Sequence, residues 1–146
     1  MSLNPDSRAM IVTCLQQKIV IMKNILDITK EIEVQANQPE LALGDLLVTR
    51  ENWIERVDKC DRLIQQELSS LPEETIAQWD CLLTDKPCSL EEEDIRQMVA
   101  EFRGYLQRVL EIDKRTMVVL NEQKNKMKIE LSQPQKQPGM DTLFHT

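Results

Sequence analysis

From Ser89 to Leu131 the sequence runs without a proline and with a single glycine, Gly104. Read as one unbroken helix, the stretch holds about 40 residues and is roughly 60 Å long. Ser89 followed by Glu92 has the spacing of a capping box, in which each side chain satisfies the other's backbone N–H. Glu91, Glu92, Glu93 and Asp94 load the first turns with negative charge and Lys124, Lys126 and Lys128 load the far end with positive charge, both in the sense the helix dipole favours. Ile95, Met98, Val99, Phe102, Tyr105, Leu106, Val109, Ile112, Thr116, Met117, Val119, Leu120 and Met127 follow at alternating three and four residues, which keeps one face apolar. Such a face needs a partner of similar length, so other helices of this chain or of a second chain must lie along it.

With 146 residues, 3% aromatics and three glycines, the chain has little material for strands and tight hairpins. The expected fold is all-α: an elongated antiparallel helical hairpin or bundle of three long helices plus one short connecting helix, over residues 1–131. Residues 132–146 read as a flexible tail, because Ser-Gln-Pro-Gln-Lys-Gln-Pro-Gly cannot pack a core. Its tip carries Met140, Leu143 and Phe144, either a tethered docking element or an end without a role.

The first helix is expected from Pro5 or Ser7 to Ala36, with Ile11, Leu15, Ile19, Met22, Ile25, Leu26, Thr29 and Ile32 on its main stripe. Val12, Val20, Ile21 and Ile28 fall off that stripe, so the helix is apolar nearly all round near Ile19 to Met22. Two explanations stand: burial among several neighbours, or a docking surface. Asn37, Gln38 and Pro39 break the helix, and residues 39–44 read as a loop or a short helical turn. A second helix from Asp45 to Leu68 puts Leu46, Leu47, Trp53, Ile54, Val57, Cys60, Ile64 and Leu68 on one face. Arg50, Glu51, Glu55, Arg56, Asp58, Lys59, Asp61 and Arg62 read as a solvated lattice on the other. Trp53 sits at the border, suited to a core edge or an interface anchor. Pro72, Glu73 and Glu74 open a short helix that ends near Leu83, with Ile76, Trp79, Leu82 and Leu83 apolar, the cross-piece that reverses the chain.

The formal charge of −7 argues against nucleic acid as the main partner. Residues 89–113 are acidic and 114–136 basic, the latter able to touch an acidic protein surface. Cys14, Cys60, Cys81 and Cys88 form no CxxC pair and the one histidine, His145, is near the end, so no metal site or cofactor is expected. Cys14 and Cys60 read as small core residues, and the set favours a reduced, cytoplasmic setting over a Cys81–Cys88 disulfide. No secretory signal precedes the first helix, and no run is expected to reach the length of a membrane span. Phosphate loops, HExxH, nucleophile elbows and Glu-x-x-His pairs are absent, so no enzyme is expected and no catalytic residue is nominated. What remains is protein binding, for which Met22, Met98, Met117 and Met127 supply adaptable contacts.

The run Leu46-Leu47-Val48-Thr49-Arg50-Glu51-Asn52-Trp53-Ile54-Glu55-Arg56-Val57-Asp58-Lys59-Cys60-Asp61 resembles the bacterial flagellar export chaperones of the FlgN and FliT type. Leu46, Leu47, Arg50, Ile54, Val57 and Asp58 or Asp61 meet that family's pattern of Leu-Leu, Arg, two spaced apolar residues and a following Asp. Gly139, Leu143 and Phe144 also resemble the ending of some members, although His145 and Thr146 stand where an Asp-Lys stretch would follow.

The resemblance implies a small cytoplasmic all-α protein that binds the C-terminal helical segment of a late flagellar subunit, a hook–filament junction protein or the filament cap. It would prevent early assembly and deliver the subunit to the export ATPase and gate. The residues nominated for the partner are Val109, Ile112, Met117, Val119 and Leu120, with Ile21 and Ile28 facing them. Val119→Asp or Leu120→Asp is then expected to abolish binding with little loss of helicity. The alternatives are a dimeric helical scaffold or adaptor and an anti-activator regulator without an export client.

Overall fold

The computed structural model describes residues 4–38, 43–88 and 91–130, with side chains to residue 126. The chain is all-α: the described residues form α1 (Pro5–Ala36), α2 (Gly44–Ser69), α3 (Glu73–Leu83) and α4 (Glu93–Glu130), and no strand.

α1 begins where its local chemistry directs. Asn4 Oδ1 accepts hydrogen bonds from the backbone N–H of Asp6 at 2.9 Å and Ser7 at 3.4 Å, and Pro5 takes the first helical position, where its missing N–H leaves nothing unpaired. α4 begins later than its capping box predicts. Ser89, and the capping box with it, lies outside the described residues, and α4 starts at Glu93. Glu92 Oε2 accepts from Arg8 Nε at 3.1 Å and Nη2 at 2.9 Å. Arg8 also bonds Asp94, and that bond above all holds the Asp94 carboxyl below its usual range.

Cross-helix bonds give the directions. Ser7 Oγ donates to Glu67 at 2.8 Å and Lys18 Nζ lies 2.6 Å from Asp61, so α2 runs antiparallel to α1. Arg8 meets Glu92, Lys23 meets Glu101, and Arg115 Nε donates to Glu33 at 3.0 Å, so α4 runs parallel to α1. Gln123 Nε2 donates to the carbonyl of Ala36, one of the carbonyls the end of α1 leaves without a helical partner. α1 is therefore the common floor for both neighbours.

α1 also departs from its expected reading. Between Ala9 and Leu26 its charged residues are Lys18 and Lys23, and by length and composition the helix could cross a membrane, with a mean hydropathy of 1.3 over its most apolar window. In this fold 44% of that window is buried, because α2 and α4 both cover it. The all-round apolarity near Ile19 to Met22 is thus mostly interior: Ile19, Ile21 and Met22 are buried.

The core divides in two. The larger cluster joins Ile11, Leu15, Ile25, Val57, Ile64, Val99 and Val109 around Trp79 and Leu82, which α3 inserts with no remaining exposure. The smaller one, toward the far end, is built from Ile32, Ala36, Leu43, Leu47 and Leu120. α3 ends in a Schellman motif: Lys86 N–H donates to the Cys81 carbonyl at 2.8 Å and Asp85 N–H to the Leu82 carbonyl at 3.3 Å. The motif puts exposed Asp85 at φ 57°, a left-handed conformation that glycine adopts without Cβ strain. Asp85→Gly is expected to stabilise the fold by up to about 1 kcal/mol, read as a higher urea midpoint at unchanged slope.

Candidate protein-binding surfaces

α2 and α4 each lie along α1 but touch one another far less, which leaves a seam between them. Toward its α3 end the seam opens into a cleft of about 320 Å³. Leu15 and Lys18 of α1 form the floor, Asp61, Ile64 and Gln65 of α2 one wall, and Val99, Phe102, Arg103 and Leu106 of α4 the other, with Leu83 of α3 at the head. The α4 wall follows from spacing: Phe102, Leu106 and Leu110 recur every four residues and share one edge of the helix. Leu110, next along the seam, is 47% exposed.

Two polar ties span the seam. Lys18 Nζ sits 2.6 Å from Asp61 and 4.4 Å from the Phe102 ring centroid, so one cation links all three helices through an ion pair and a cation–π contact. Further down, Arg50 donates in bidentate fashion to Asp113, Nη1 to Oδ1 at 2.8 Å and Nη2 to Oδ2 at 2.6 Å. Arg50 is buried and its Nε has no hydrogen-bond partner. Arg50 therefore leaves the solvated lattice in which its charged neighbours placed it, whereas Asp61 stays half exposed while it pairs with Lys18. Each lies on the edge of α2 that turns toward α4.

The nominated partner residues do not form one open surface. Val109, Ile112, Leu120 and Ile21 are buried, which corrects their expected availability: α1, parallel to α4, already covers that face of α4, and Ile21, itself on α1, lies at the base of the space between α1 and α2. Met117, Val119 and Ile28 are half-buried, and the last two pack against the smaller core cluster. The cleft is built from residues outside that set, and its one signal in the sequence is Lys18, a cation set beside the apolar stripe of α1. Trp53 is half-buried, with the Arg56 guanidinium 4.5 Å from its ring centroid.

None of the four cysteines is in a disulfide. Cys14 and Cys60 are buried, and burial pushes both thiols up from their ordinary values, so they stay protonated and act as packing residues. Among the described residues no group of three or more His, Cys, Asp or Glu side chains is placed to hold a metal ion. The tail beyond Glu130, with Leu143 and Phe144, lies outside the described residues. Comparison with protein-family models, with curated proteins and with solved structures gives no significant match.

Proposed function

We propose that this chain is a protein-binding chaperone of the flagellar type III export kind, acting in the cytoplasm on the C-terminal helical segment of a hook–filament junction or filament-cap protein and passing it to the export ATPase and gate. In this reading three long helices and one short connecting helix make the elongated bundle, and the client helix lies along the α2–α4 seam. One observation carries it: the seam is an apolar cleft on the α1 floor, open to the outside and continued by exposed Leu110. A groove of that kind receives the apolar side chains that an amphipathic helix repeats every three or four residues. The resemblance of Leu46 to Asp61 to the export chaperones supplies the class of client.

Calorimetric titration of the full chain with the C-terminal segments of the junction and cap proteins from the same cell tests the proposal. One-to-one binding is expected, weakened about tenfold or more by Leu110→Asp, with helicity kept because that side chain is already half in water. Failure of all these segments to bind, or equal binding by the variant, removes the export reading and leaves the scaffold or the anti-activator ahead.

A further inference from the structure

Asp and Glu account for 25 residues of this chain, yet the patch where α1 and α2 meet between Glu67 at one end and Asp27 at the other has none. α1 contains no carboxylate from Ser7 to Leu26, and its outward positions on that face include Met10, 41% exposed, and Val20, 57% exposed. α2 sets Trp53, Arg56, Lys59 and Leu63 beside them. Between the two helices is an open saddle of about 800 Å³ with buried Ile21 at its base, more than twice the volume of the α2–α4 cleft.

The charges here differ in kind from those elsewhere on α1. Arg8, Lys18 and Lys23 are each held by a carboxylate of α2, of α4 or of the turn before α4. Arg56 and Lys59 line the saddle with no described carboxylate in salt-bridge range. The Arg56 guanidinium lies 4.5 Å from the Trp53 ring centroid, a cation–π contact that restrains the side chain, and its N–H donors bond no described residue. A guanidinium restrained in this way keeps its N–H donors available to a carboxylate, which can take two of them. From Met10 to Asn24 the face is roughly 20 Å long, about four helical turns.

We infer that this saddle is a docking site, separate from the α2–α4 cleft, for an amphipathic α-helix of another protein whose polar edge is acidic. Val20, Trp53 and Leu63 receive the apolar stripe, and Arg56 and Lys59, three residues apart on one edge of α2, meet carboxylates three or four apart on the guest. The net charge of −7 repels such a helix from the rest of the surface, so the carboxylate-free face also provides the selectivity. The inference does not depend on the export reading.

Two synthetic helical peptides of about five turns test it against the full chain, identical in their leucine stripe but flanked by glutamates in one and lysines in the other. Tryptophan emission reports on the saddle, because Trp79 is fully buried in the core and Trp53 is not. The glutamate peptide is expected to shift the emission saturably, to bind about tenfold or more tighter than the lysine peptide, and to weaken as salt is raised. The double variant Arg56→Glu, Lys59→Glu, with both changes on the surface, is expected to lose that preference while keeping its helical circular dichroism. Equal affinity of the two peptides, binding of neither, or an unchanged preference in the double variant overturns the inference. So does binding of phosphatidylglycerol vesicles without the peptide, which assigns the face to lipid. Loss of a dimer in the double variant overturns it as well, by assigning the face to a second copy.

Discussion

Leu120→Asp is expected to leave the chain without a cooperative native state. Leu120 has no exposure and stands at the centre of the smaller core cluster, between Ile32, Ala36, Leu43 and Leu47. Removing a buried leucine costs about 2–5 kcal/mol, and an unpaired carboxylate in the same apolar space adds several more. The sum rivals the whole stability of a domain this size, about 5–15 kcal/mol. Circular dichroism and urea unfolding check it, with Leu120→Ala as the graded control, expected to fold with a midpoint lowered by the cavity alone. A wild-type melting curve for Leu120→Asp would show the smaller cluster to be open. The sequence had suggested that a charge at this position would spare helicity. The opposite is expected, because α1 covers that face of α4.

The second large effect concerns the tie across the lower seam. Asp113→Ala removes both acceptors of a buried guanidinium whose Nε already lacks a partner. Leaving one buried charge alone costs about 3–5 kcal/mol. Replacing both members, Arg50→Met with Asp113→Leu, is expected to restore or exceed the original stability, because it removes the desolvation cost together with the attraction. Denaturant unfolding of Arg50→Met, of Asp113→Leu and of the double variant closes a thermodynamic cycle. Independent, additive losses would mean that the pair is not coupled. The single variants are also expected to loosen α2 from α4 more than either from α1, since among the described residues this is the one salt bridge between α2 and α4.

Much of the architecture was legible because helices announce themselves by period and by caps. Pro5 after Asn4, the apolar stripe of α1 and the proline-free run of α4 follow from backbone chemistry within a few residues. Partner choice is not local. Period identifies a face but not which neighbour covers it, so Val109, Ile112 and Leu120 read equally well as a groove or as core. Arg50 was misplaced for the same reason. Among Glu51, Glu55 and Arg56 it looks solvated, and only Asp113, 63 positions away, shows why it is inside. Glu92 reads locally as a cap, and the bond it accepts from Arg8 is invisible there because Arg8 is 84 residues distant. The saddle was hardest to see, since its defining property, a face without carboxylates, appears only when α1 and α2 are laid side by side.

The parallel pairing of α1 with α4 has a consequence for how the protein is made. Arg8 with Glu92, Glu33 with Arg115 and Ala36 with Gln123 are matched across 82 to 87 positions. A ribosome building from the amino end therefore produces a two-rod hairpin first, greasy along one side, and it cannot begin the third rod until it reaches Glu93. Contacts so distant along the chain also slow closure once the polypeptide is free. For that interval the newborn protein is itself an unfinished client, exposed to aggregation and in need of shelter.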